Sequence, residues 1–216
     1  MPRDGTPTRR RLLDAALLRF ADEHLDRVSL NEILEAAGQR NASALQYHFT
    51  NRDGLIRAIL AEFTPPIRER RRELLATARL VDDPRPAAEA VVLPIGEHLL
   101  GDWQQLCFVD VATQLWTDPR RRVPELAALT GDTESFAAID LLLSRLPDIP
   151  DGVRSLRVRV STMMVMHAVA DKSRLIRTHG ANSRQRGDVP MFIDALVDMY
   201  LNCMAGPIRT SAPSAG

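Results

Sequence analysis

Only two cysteines, Cys107 and Cys203, occur in the 216 residues. They are too few and too far apart to support a disulfide framework or a cysteine metal site, so reduced core thiols in a cytoplasm are the expectation. Long apolar runs are missing too. No segment approaches the roughly 18 apolar residues that a membrane span needs, and no partnership with a membrane is expected. The N-terminal arginines are not followed by an apolar stretch, which excludes a signal peptide reading. Net charge is absent: 28 Lys and Arg balance 28 Asp and Glu, which excludes a surface uniformly coated in positive charge. Lysine itself is nearly absent, with Lys172 alone. There is no internal repeat and no sustained polar–apolar alternation, hence no expected sheet. The signatures of enzymes are also lacking. Neither a nucleophile–base pair, nor metal-ligand spacing, nor a phosphate loop can be found. The five histidines are scattered, so no catalytic residue, metal site or cofactor is expected.

What remains is helical periodicity on a chain long enough for a substantial core. In "TRRRLLDAALLRFADEH", Leu12, Leu13, Ala16, Leu17 and Phe20 recur at steps of three and four, with Thr8 placed to cap the start. In "SLNEILEAAG", Ser29 and Glu32 form a capping box and Gly38 is placed to end the helix in a left-handed turn. A short helix follows, with Asn41 as its N-cap, and "RDGLIRAILAEF" begins another at Asp53. Pro65-Pro66 should interrupt that helix, because each removes a donor and restricts its predecessor. Further helical patterns run over about 67–80, 86–100, 103–117, 123–129, 133–146, 152–178 and 190–204. Pro, Gly and Asp cluster in the breaks between them.

The stretch "QRNASALQYHFTNRDGL" at 39–55 carries the chemistry. A capped helix, a Gly-containing turn and a short second helix make a helix-turn-helix, whose second helix lies in the DNA major groove. Ala42 and Ala44 keep that helix slim. Ser43, Gln46, Tyr47 and His48 supply groups for base edges and phosphates, and Gln can bridge adenine N6 and N7. Leu45 and Phe49 should point inward. A connector helix in a larger bundle would also be short and polar. Residues 1–13 hold Arg3, Arg9, Arg10 and Arg11 against Asp4, which reads as a solvated tail or a phosphate-binding arm.

These residues resemble the TetR family of transcriptional repressors. "LLRFADEH" matches the end of that family's first helix. Ser29, Ile33, Ala37 and Gly38 match its second, and His48, Phe49, Arg52 and Leu55 match the end of its third and the start of its fourth. The match covers about 50 residues. It departs from the family in a turn lengthened by one residue, in Gln46 standing where a Tyr is usual, and in Arg52 for Lys.

The resemblance implies an all-α fold. A three-helix DNA-binding head with a helix-turn-helix (residues 1–52) precedes a larger helical ligand-binding and dimerisation bundle (53–206), and 207–216 form a disordered tail. It implies double-stranded operator DNA as partner, contacted by Arg9, Arg10, Arg11, Asn41, Ser43, Gln46, Tyr47, His48 and Arg52. It also implies a homodimer through the last two long helices, and a repressor released by a small effector. A ligand-activated DNA binder, or a helical adaptor without DNA binding, is the alternative.

Val158, Met163, Val165, Met166 and Val169, with Phe192, Ile193, Leu196, Val197 and Tyr200, suit either the dimer contact or an intramolecular core. Large side chains with polar tips mark a candidate cavity for a mainly apolar effector: His98, Trp103, Phe108, Gln114, Trp116, Met163 and His167. Each of them would also serve as ordinary core.

Overall fold

The computed structural model describes residues 7–39, 42–120, 129–180 and 184–207. Among these there are helices and connections and no strand. Arg3, Asn41, most of the helix expected at 123–129, and the tail from 208 onward lie outside the described residues. The side chain of Ser43 does as well.

Three helices make the head: α1 (Pro7–Asp22), α2 (Leu30–Ala36) and α3 (Ala42–Phe49). The local signals for α2 are realised as written in its residues. Ser29 Oγ accepts from Glu32 N, and the Glu32 carboxylate accepts from Ser29 N at 2.6 Å. At the other end Gly38 takes φ +65°, and Gln39 N closes back onto the Leu34 carbonyl at 2.8 Å. The start of α1 differs from expectation. The helix begins at Pro7, so Thr8 sits inside its first turn and does not cap it. Proline suits that place because its missing N–H would have no helical partner there.

The helix α4 (Arg52–Ala78) is the main correction to the sequence reading, since it runs unbroken through Pro65 and Pro66. Both prolines are exposed, as are Ala61 and Glu62, the residues whose carbonyls lose their usual i+4 donors. Water can solvate those carbonyls, so the double proline is tolerated on this face. Asn51 caps α4 by accepting from Gly54 N at 3.0 Å. Gly54 is needed for closeness: a Cβ there would lie 1.7 Å from the Phe49 carbonyl oxygen, which joins the end of α3 to the start of α4.

The remainder comprises α5 (Pro84–Gly96) with a 3₁₀ turn at Glu97–Leu100, α6 (Trp103–Thr117), α7 (Glu134–Leu143), α8 (Asp151–His179) and α9 (Val189–Ala205), with one further turn at Arg184–Gly187. In the packing, α1 lies on α6, α4 on α5, α6 on α8, and α5 on both α7 and α9. The larger apolar core passes from Leu12, Phe20 and Ile33 in the head through Leu55 and Ile59 of α4 to Phe108, Val165 and Tyr200 in the bundle. Each fully buried large side chain in it contributes about 1.5–3 kcal/mol relative to exposure. The continuity makes α4 a member of both parts. No described helix is long and apolar enough to cross a membrane.

Candidate nucleic-acid interface and ligand cavity

On α3, Leu45 and Phe49 are buried while Gln46 is exposed and Tyr47 is 85% exposed. The four-residue step between Leu45 and Phe49 places both anchors on one face, which turns Gln46 and Tyr47 outward. Half-buried His48 lies edge-on to Tyr47, with ring centroids 5.0 Å apart. The Arg9 guanidinium stands 5.3 Å from the Phe49 ring centroid, so α1 brings a cation beside the end of α3. Arg11 is exposed, its guanidinium 3.4 Å from Thr8 Oγ1.

Two arginines expected on phosphate have partners within the protein. Arg10 pairs with Asp14 and with Glu62 of α4 at 2.6 Å, and hydrogen bonds to these carboxylates raise its pKa. Arg52 donates through Nη1 to the Leu25 carbonyl and through Nη2 to the Val28 carbonyl at 2.5 Å. Its fork fills the open carbonyls of the α1–α2 connection and so braces the head. Each of the two arginines therefore has an acceptor within the fold.

Inside the bundle lies a cavity of about 610 Å³, bounded chiefly by α4, α6, α7 and α8. Of the seven candidate ligand residues, Phe108, Trp116 and Met163 line it and the other four do not. Phe108, Ala112 and Trp116 recur at four-residue steps on α6 and share one face. Gln114 lies on the opposite face. Its Oε1 accepts from Leu25 N at 2.7 Å, and its Nε2 donates to the Phe20 carbonyl at 2.7 Å and the Glu23 carbonyl at 3.3 Å. His98 is buried behind the wall, its Nδ1 3.2 Å from the Pro94 carbonyl and its ring against Phe108; burial lowers its pKa. Trp103, at the start of α6, is nearly half exposed. His167 is exposed and borders a polar cleft between head and bundle.

The same cleft carries charged ties. Arg177 of α8 reaches Asp22 of α1 at 2.8 Å and the buried Asp110 of α6 at 3.3 Å, while Arg174 reaches Asp110 at 2.7 Å. Burial pushes Asp110 up to about 6 against the pull of both arginines, and pushes the neighbouring Cys107 thiol up to about 11. Arg120 links Asp26 in the head to Asp118 in the bundle.

Thr64, Arg71 and Asp132 also line the cavity and were not among the sequence candidates. A signal existed for the first two. Leu60, Thr64, Ile67, Arg71 and Leu75 continue the buried stripe of α4 at steps of three and four, with polar residues standing in apolar places. Among the described residues, no group of three or more His, Cys, Asp or Glu could hold a metal ion.

No protein-family model matches this chain. No curated protein matches it either. Solved structures of similar fold include Salmonella enterica GusR, 17% identical, covering 94% of this chain and 98% of its own, with a TM-score of 0.44. RolR, solved in complex with the ligand resorcinol, is 16% identical over 94% of this chain and 95% of its own, at 0.41. A TetR-family regulator from Streptomyces coelicolor A3 is 17% identical over 93% and 99%, at 0.31. With identity and TM-score this low, the functional reading rests on the chain's own residues.

Proposed function

We propose that this chain is a TetR-type DNA-binding transcriptional regulator, a homodimeric repressor released when a small, mainly apolar effector enters the bundle cavity. One observation carries the reading: the short helix α3 is anchored by Leu45 and Phe49 and turns Gln46 and Tyr47 outward with Arg9 beside it. The exposed amide and phenol, with a guanidinium beside them, are the groups a groove-reading helix needs. Residues 1–52 act as the reading head, and 53–206 as the ligand-binding and dimerising part.

The residues expected at the dimer contact include Val165, Val169, Ile193, Leu196 and Tyr200, which are buried within the chain itself. Other apolar residues on the same two helices stay open. Leu156 and Val160 on α8 and Met191 and Met199 on α9 are each more than half exposed. An unpartnered apolar surface of this kind supports self-association. An effector alters DNA affinity only by favouring one arrangement of the two heads over the other. Two helices that border the cavity, α4 and α6, also touch the head, so both belong to the coupling path.

The test is a gel shift against the upstream region of the chain's own gene. Gln46→Ala should weaken operator binding by about 1–3 kcal/mol and binding to random DNA far less. Equal losses on both would make Gln46 a backbone contact and remove the readout assignment. Met163→Trp, which fills the cavity, should keep operator affinity and lose the effector response. An effector that strengthens binding would reverse the sign of the mechanism.

A further inference from the structure

The connection that leads into α7 forms one side of the cavity, where Thr130, Asp132, Ser135 and Phe136 line it. Three arginines of α4 hold this short stretch. Arg68 donates through Nη1 to the Gly131 carbonyl at 3.0 Å, Arg71 through Nη1 to the Asp132 carboxylate, and Arg72 through Nη2 to Glu134 at 3.0 Å. Steps of three and four put the three on one face of the helix. Arg70, between them in sequence, pairs instead with Glu97 at 3.0 Å. The middle clip is buried. Arg71 and Asp132 are each 5% exposed, Arg71 Nε also donates to the Ala90 carbonyl at 3.0 Å, and Asp132 accepts from Ser135 N at 3.2 Å. Either partner left alone would keep an uncompensated buried charge, so the pair resists separation. Gly131 fits the same arrangement. Its φ is +64°, and a Cβ there would stand 2.9 Å from Arg68 Nη1, so glycine permits both the turn and the close seat of the guanidinium.

We propose that residues 130–135 are a strap that reports what fills the cavity to α4, through the clips at Arg68, Arg71 and Arg72. This rests on the reading of the cavity as an effector site and names its coupling element. The strap and α4 both line the cavity, so a molecule that spreads the walls bears on both. A wall held by apolar contact alone could yield by repacking and pass nothing on. Here the strap moves with α4, because Asp132 leaves Arg71 only by baring a buried charge. All three arginines stand beyond Pro65-Pro66, on the part of α4 away from the head. A push on the strap is therefore delivered to one end of a helix whose other end, at Arg52, is fixed in the head.

Gel shifts on an operator fragment, without and with saturating Nile red as an apolar cavity probe, test this on the full chain. Saturation is followed by the dye's fluorescence. In the wild type the dye should change operator affinity about tenfold, downward for a repressor, the usual scale for coupled sites. Arg68→Gln combined with Arg72→Gln removes two clips without altering a residue that lines the cavity. It should keep operator affinity in the absence of dye and cut the dye's effect to about threefold or less. Asp132→Asn, which discharges the middle clip, should abolish the effect; if that variant does not fold, the double variant carries the test. Glu97→Gln breaks the neighbouring Arg70 pair, which lies off the strap, and should leave the wild-type effect intact. A merely structural clip would lower the melting temperature of the double variant and leave the dye's effect unchanged, and that result would overturn the inference. So would an effect lost equally in Glu97→Gln. If Nile red does not bind the wild type, or binds without changing operator affinity, the effector reading of the cavity falls and the strap with it.

Discussion

Gln114 and Leu25 meet across the junction of head and bundle, the side-chain oxygen of one accepting the backbone N–H of the other at 2.7 Å. The same amide donates to the carbonyls of Phe20 and Glu23, so a bundle helix closes the C-terminal end of α1. Leu25 is engaged on its other side as well, since its carbonyl accepts from Arg52 of α4. Gln114→Ala should leave the Leu25 N–H without its partner and cost about 1–3 kcal/mol of stability. Amide exchange should quicken at residues 20–28 while the cavity side of α6 keeps its protection. Unchanged exchange there would show that the amide is incidental.

Salt dependence separates arginines that meet DNA from those that hold the head. Arg11→Ala should reduce the slope of log affinity against log salt by about 0.9, the value for one lost phosphate contact. Arg52→Ala should leave the slope unchanged and lower the melting temperature, because two carbonyls lose their donor. A reduced slope in Arg52→Ala with unaltered stability would restore Arg52 to the interface.

Self-association is checked by sedimentation. Val160→Glu combined with Met199→Glu places charge on the open apolar faces of α8 and α9, and should convert a dimer into a folded monomer at micromolar concentration. Operator affinity should fall with it, since half-sites about one helical turn apart need both heads. A double variant that sediments like wild type would move the contact elsewhere.

Asp110 predicts a pH dependence whose sign is definite. Burial raises its folded pKa to about 6, above the value of 3.8 for an ordinary aspartate, so the folded state holds a proton that the unfolded state has released. Its contribution to stability is therefore greatest below about pH 4 and is lost as pH rises through 6. The comparison is with Asp110→Asn, which has no titrating carboxyl at that position. Between pH 4 and 7 the wild type should lose up to about 3 kcal/mol relative to that variant. Parallel stability curves would show that Arg174 and Arg177 keep the carboxylate ionised throughout.

Local physics made part of this molecule readable from its residues. Ser29, Glu32 and Gly38 specify their turn through contacts a few residues apart, and Leu45 and Phe49 declare a buried face by spacing alone. What depends on tertiary surroundings was not readable in the same way. The fate of Pro65 and Pro66 turns on which side of α4 meets water. Gln114 was grouped with Trp116 by chemistry, although two positions along a helix put it on the far side from Phe108 and Ala112. Arg71 was hidden in "RERRRE", where a run of charge looks solvated. Only its register with Ile67 and Leu75 sets it apart. Arg52 has the charge a phosphate contact needs, and nothing local announces that two carbonyls lie closer.

The double proline also gives α4 a mechanical character. A helix lacking two adjacent rungs is soft at that point, and it opens on the side where the rungs are missing. Here the soft point falls next to Thr64, where the cavity begins, and the stiff arm beyond it runs back to Arg52 in the head. At 1.5 Å per residue that arm is about 18 Å long, so a swing of about 5° at the prolines carries the head by about 1.6 Å. Because the missing rungs face solvent, a bend at the prolines would keep to one plane, its axis set by two residues that ordinarily end helices.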